Sequence, residues 1–297
     1  MDIEFITEMI CNKQCILVLG PDIAFNNEKS LLEELSNFLA DKKFGHIFHD
    51  DEDFFSSTTE FKPHGFRHFS MFFNALEMSG IYQQIAEIPF HTIISLSPDL
   101  LLKQTFDKNN FDYSFDYYHK NKACEKINKP TKEKPLLYNL LGQYTQTTSL
   151  VLTFNDLFDY LSSILGVNEL NDDFKIELEE AQTVFFLGFK YEKWYLKLIL
   201  RLLNKDDNIL RQASLKEIMK KNKIINFYEK EFKFEFEEEL SGKEIINQIH
   251  KYFTGEKALR KPKQVTKSGS GVVINVSNSQ DVNIISNTNA NNINIKK

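Results

Sequence analysis

The chain has 297 residues, enough for one large domain or a domain with appendages, and enough to bury a substantial core. Its 36 Lys and Arg against 42 Asp and Glu leave a net charge of -6, which sets the body apart from nucleic-acid binders. Hydrophobic residues at 42% and charged residues at 26% are the balance of a soluble globular protein, and 27 Phe predict an aromatic-rich core. The three cysteines, Cys11, Cys15 and Cys124, form no disulfide framework. Cys11 and Cys15 lie four apart with no second Cys or His pair at ligand spacing, so buried thiols are expected and no metal site. The opening MDIEFITEMI lacks a basic region and a cleavage signal, and no apolar run approaches a membrane span. A cytoplasmic protein without a membrane partner is the expectation.

Strand and helix signals alternate along the chain. Ile16–Leu19 is a β-branched, apolar strand that stops at Gly20-Pro21-Asp22. Ser30 with Glu33 reads as a capping box, opening a helix whose stripe is Leu31, Leu32, Leu35, Phe38 and Leu39. Residues 44–65 show no periodicity, and Phe66–Ile85 reads as one helix. A second strand, within Pro89–Ser95, ends at Ser97-Pro98-Asp99, and a helix over Leu100–Phe106 repeats the first architecture. Residues 107–134 read as an excursion from the core. Leu136–Leu141, closed by Gly142, and Leu150–Thr153 are the third and fourth strand candidates, and a helix over Phe154–Leu165 follows. Thr183–Leu187, closed by Gly188-Phe189, is the fifth strand, and Trp194–Leu203 is a helical face. Phe232, Phe234 and Phe236 alternate at strand spacing, and a last helix runs from about Lys243 to Phe253. The pattern predicts an α/β fold, a Rossmann-like parallel sheet with helices on both faces. Ligands of such sheets bind beyond the carboxyl ends of the strands, where Gly20, Ser97, Gly142 and Gly188 fall.

Composition changes after Phe253, so residues 1–255 are taken as the α/β domain, 256–271 as a basic and Gly/Ser linker, and 272–297 as an Asn-rich, β-prone tail. The basic run Lys257, Arg260, Lys261, Lys263 and Lys267 reads first as a solvated linker. In the tail, Ile274-Asn275-Val276, Val282-Asn283-Ile284 and Ile293-Asn294-Ile295 each put Asn between β-branched residues. Such strands stack into Asn ladders, which predicts a homo-oligomer or filament, or recruitment of a partner. The alternative is a disordered tail.

No G-x-S-x-G, H-E-x-x-H or Walker P-loop occurs. His46 and His49 beside Asp50, Asp51 and Asp53 fit no recurrent metal spacing, and His91 reads as a hydrogen-bonded core histidine. Polar groups at the strand ends are the better candidates: Asp22, Ser95, Ser97, Asp99 and Asn139. A carboxylate and an amide together can hold a ribose diol and stabilise an oxocarbenium ion. The same groups can be helix caps, and Asp99 is well placed as one.

Five phrases in order resemble the sirtuin-like domains of bacterial immune effectors, over roughly residues 5–255. LVLGPDIA lies where that family has its first nucleotide loop, a G-A-G-I-S type turn. FHTIISLSPDLLL is similar to the second, I-I-S-T-N-Y-D-x-L-L, and PLLYNLLG to the K-L-H-G phrase. LVLTFNDLFDYL and VFFLGFKYEKWYLKLILRLL resemble the last two. The resemblance implies an NAD-binding sheet and, in active members, cleavage of the nicotinamide–ribose bond during antiphage defence. Asp99 matches the family pattern, and with Asn139, a polar group close by in sequence, it makes the pair of catalytic candidates. The resemblance assigns NAD contacts to Gly20, Pro21, Asp22, Ile23, Ser95, Ser97, Gly142, Gly188 and Phe189. The family asparagine of the second loop is Ser97 here and the family histidine is Leu141, while Pro21 and Asp22 replace an alanine and a glycine. Two functions stay open: an NAD glycohydrolase switched on by assembly or a defence-system partner, and a catalytically inactive nucleotide-binding or scaffold protein.

Overall fold

In a computed structural model, residues 2–23, 31–42, 48–49, 54–56, 61–77, 79–203, 209–214, 223–263, 273–276 and 282–285 are described. The chain divides into one unit over residues 1–262 and a second over 263–297. The first unit carries α1 (Ile3–Cys11), β1 (Cys15–Leu19), α2 (Leu31–Asp41), β2 (Phe48–His49), β3 (Phe54–Phe55), α3 (Phe61–Ala75) and α4 (Gly80–Glu87). It continues with β4 (Thr92–Ser95), α5 (Leu101–Lys108), β5 (Ser114–Tyr117), β6 (Leu136–Asn139), α6 (Phe154–Ser162), α7 (Asp172–Glu180) and β7 (Thr183–Leu187). The last elements are α8 (Trp194–Leu203), β8 (Leu210–Ser214), α9 (Lys223–Glu231), β9 (Phe234–Glu237) and α10 (Gly242–Gly255).

Seven strands form one sheet in the order β5-β6-β4-β1-β7-β8-β9, and every pairing in it is parallel. β1 lies at its centre, with Leu17 opposite Ile93 on one side and Phe185 on the other. Successive strand residues point to opposite faces. Cys15, Leu17 and Leu19 pack with Ile6, Ile85, Phe106 and Ile249 of α1, α4, α5 and α10. Ile16 and Val18 pack with Tyr160, Phe174, Ile199 and Tyr228 of α6, α7, α8 and α9. Both faces are covered, as the alternation of elements predicts, so the central strands are apolar on both sides. A third cluster joins α2 and α3 through Leu35, Phe69 and Phe73 to Tyr144, Leu150 and Leu152.

Several expectations need correcting. Residues 66–85 are not one helix: α3 ends at Ala75, and α4 begins at Gly80 after Ser79. Leu150–Thr153 is no strand of the main sheet. Leu150 and Leu152 fill the third cluster, while Thr153 forms a single bridge to Phe55 and caps α6. The Thr153 hydroxyl accepts from Asp156 N at 3.1 Å, and the Asp156 carboxylate accepts from Thr153 N at 3.1 Å. α6 stops at Ser162 and widens into a π turn over Ser163–Val167. The segment taken as an excursion supplies edge strand β5. β8 has no counterpart among the predicted strands, because its buried Arg211 and Gln212 break the apolar run.

The body also extends past residue 255 to Pro262. Arg260, expected in a solvated linker, is 6% exposed. Its guanidinium donates to the main-chain carbonyls of Ala86, Ile88, Phe90 and Lys132 and lies over the Phe106 ring. Ser30, His46, Asp50, Asp51, Asp53, Lys267 and the Ile293–Ile295 phrase lie outside the described residues, as does the His49 side chain. In the second unit, β10 (Val273–Val276) and β11 (Val282–Ile285) pair antiparallel with Asn275 opposite Asn283. Among the described residues, no helix is long and apolar enough to cross a membrane.

Candidate functional site

The chain moves from β1 to β4 on one side of the sheet, then returns to place β7 on the other side. This reversal opens a crevice beyond the carboxyl ends of β1 and β7. Gly20 follows β1 and Gly188 follows β7, and the two turns are in direct contact. A Cβ on Gly20 would stand 2.0 Å from the Gly188 carbonyl oxygen. Gly188 has φ +74°, and a Cβ there would stand 2.4 Å from Ile23 N. Only glycine meets both demands. Gly20 N donates to Leu187 O at 2.7 Å, Asp22 N to Gly188 O at 3.3 Å, and Ile23 N to Gly20 O at 3.4 Å. The first-loop amides are therefore engaged within the protein. The Asp22 carboxylate turns to the start of α2, where it accepts from Leu31 N at 3.4 Å. An acid there suits the positive end of the helix dipole.

A cavity of about 60 Å³ lies at these strand ends. Pro21 and Asp22 line it after β1, Leu96 and Pro98 after β4, Leu141 after β6, and Phe189 and Lys190 after β7. Phe54, Leu152, Leu157 and Tyr195 complete an apolar wall. Lys190 is paired to Glu33 at 3.5 Å. Leu141 gives this wall hydrocarbon and no titratable group.

The other assigned side chains are not among the residues that line the cavity. The Ser97 hydroxyl donates to the Asp99 carboxylate, whose other oxygen accepts from Leu101 N, the first residue of α5, at 2.9 Å. Asn139 Nδ2 donates to the Asp99 carbonyl at 2.9 Å. Ser95 Oγ accepts from Ser97 N at 3.1 Å. Ser97, Asp99 and Asn139 are all buried. Burial pushes the Asp99 carboxyl above its ordinary range, against the lowering effect of Ser97 and Leu101 N. Gly142, with φ +83°, serves a turn: a Cβ on it would stand 2.2 Å from the Ser149 carbonyl oxygen.

Pro21, Asp22 and Phe189 are therefore brought to the cavity. Gly20, Ile23 and Gly188 make the joint beside it, and Ser95, Ser97, Asp99 and Asn139 form a separate hydrogen-bonded set. Sequence reasoning missed Phe54, Leu152, Leu157 and Tyr195 as wall residues. The available signal was the LVLTFND phrase and the Trp194–Leu203 helical face. Among the described residues, no group of three His, Cys, Asp or Glu can hold a metal ion.

Residues 91–233 match the family model of the SIR2-like domain. This supports a sirtuin-like family, and with it a relation to NAD. The matched segment holds the second loop, Leu141, Gly142 and Gly188, whereas the Gly20 loop precedes it. No curated protein matches the chain. Among the described residues, the fit to a dinucleotide is partial. Phe54, Phe189 and Tyr195 give the cavity aromatic surface. A diphosphate would meet the Asp22 carboxylate and find the amides of Gly20, Asp22 and Ile23 already bonded.

Proposed function

We propose that this chain is a non-cleaving SIR2-like protein of cytoplasmic antiphage defence, acting as a scaffold. Leu141 carries the proposal: an apolar side chain lines the cavity where the resemblance calls for a histidine. The mutual bonding of Ser97, Asp99 and Asn139 supports it, since these groups already have partners. The full chain is incubated with NAD while free nicotinamide is followed, and calorimetry is run with NAD, ADP-ribose and nicotinamide. No nicotinamide release and no strong binding of ADP-ribose are expected. Sustained release of nicotinamide overturns the proposal.

A second reading, NAD hydrolysis triggered by assembly, is favoured by the SIR2-like match spanning Ser95 to Gly188. It requires Ser97 and Asp99 to separate and reach the cleft. Nicotinamide release by an assembled form alone, lost in Leu141→Trp, selects this reading. For the tail, the proposal is assembly of like chains or recruitment of a defence partner through residues 272–297. Unchanged size in light scattering and unchanged phage protection after deletion of residues 268–297 would exclude it.

A further inference from the structure

A second cavity, of about 270 Å³, lies at the opposite, amino ends of the strands. Asn12, Lys13 and Gln14 reach it from the turn before β1, and His91 from the residue before β4. Lys129 comes from the loop before β6, and Glu177 and Glu180 come from α7. None of these residues belongs to the cleft already described.

Its inner end is buried and polar. His91 is 3% exposed, and Glu177 is 6% exposed. His91 Nε2 stands 3.7 Å from Glu177 Oε2, too far for a direct hydrogen bond. His91 Nδ1 is buried with no partner among the described residues, contrary to the expectation of a hydrogen-bonded core histidine. A buried polar atom without a partner costs about 1–3 kcal/mol, so such atoms call for a ligand or water.

The rim is different. Lys129 and Glu180 are exposed and paired at 2.9 Å, which leaves Lys13 as the cation of the rim not engaged in that pair. Lys13 has φ +58°, a left-handed conformation. It holds the position after the cap of α1 that glycine usually takes: Lys13 N donates to Ile10 O, and Gln14 N to Met9 O at 2.8 Å. A lysine there is unfavourable by roughly 1 kcal/mol relative to glycine, and Lys233 and Lys257 share the conformation after α9 and α10.

Acceptors inside and a cation at the mouth select a particular dipole. A lone anion would be driven against Glu177, and a lone cation would have to pass Lys13. A zwitterion satisfies both ends. At about 30 Å³ per water, the cavity holds the equivalent of about nine waters, room for an α-amino acid. We propose that this cavity binds a free α-amino acid, its ammonium on Glu177 and His91 and its carboxylate on Lys13.

The full chain is examined by saturation-transfer NMR with L-alanine, L-glutamine, acetate and methylammonium as probes. Glu177→Gln keeps the side-chain shape, and Lys13→Ala alters an exposed rim residue, so circular dichroism of both variants checks that the fold is kept. Binding of at least one amino acid is expected, weakened tenfold or more in each variant, with acetate and methylammonium at least tenfold weaker in the native chain. No signal from either amino acid overturns the proposal. So does binding that neither variant weakens, or acetate binding as tightly as the amino acids, which would mark a plain anion site.

Discussion

Replacing Arg260 with Met is expected to destabilise the body by about 3 kcal/mol. The guanidinium makes three hydrogen bonds to buried carbonyls, at 2.9 Å to Ala86, 3.1 Å to Ile88 and 2.8 Å to Phe90, and a fourth, part-buried, to that of Lys132. Bonds to a charged donor contribute roughly 1.5–3 kcal/mol each, and burying a guanidinium costs several kcal/mol. The difference leaves a few kcal/mol, and the orphaned carbonyls of the variant add to the loss. Two truncations isolate the same contact. A chain ending at Lys263 keeps Arg260, and a chain ending at Leu259 loses it. With a urea slope of about 3 kcal/mol per molar, the shorter chain should unfold at a midpoint about 1 M lower than the longer one. Equal midpoints for the two truncations, together with an unchanged midpoint in Arg260→Met, would refute the reasoning and return residues 256–262 to the status of a linker.

Further outcomes follow from the same geometry. Gly188→Ala forces a left-handed alanine and a Cβ 2.4 Å from Ile23 N, so a loss above about 2 kcal/mol is expected in thermal or urea unfolding. Asp99→Ala removes the acceptor of Leu101 N and the partner of Ser97, for a loss of about 1–2 kcal/mol, whereas Asp99→Asn retains an acceptor and should lose less than half of that. His91 is held at about 4, first by burial and then by Lys13. The unfolded chain takes this proton near pH 6.5, so the fold loses up to about 3 kcal/mol as pH falls from 6.5 to 4. Glu177, raised by burial, works in the opposite sense because the folded state takes its proton first, and Lys129 and Glu180 face the same space. His91→Phe should flatten the dependence over this window, and an unchanged profile would remove His91 as its source.

The sequence by itself determined the parallel sheet, because β-branched runs such as Cys15–Leu19 and Thr183–Leu187 are apolar on both faces and alternate with amphipathic helices. It also located the strand-end loops, since Gly20 and Gly188 stand where runs stop. Strands β5 and β8 were hidden. The first alternates aromatics with Ser114 and Asp116, and the second buries Arg211 through bonds to the Ile209 and Phe232 carbonyls, which only the fold supplies. The same holds for the site residues. Residue type alone left Asp99 open between cap and catalyst, and the tertiary structure turns its carboxylate onto Leu101 N and Ser97. Nor could spacing tell that Arg260 enters the body, or that Lys13, His91 and Glu177 share one cavity. Period and composition are local and survive in one dimension. Which polar group meets which is set by long-range packing, because a buried donor or acceptor takes whatever partner the fold brings to it.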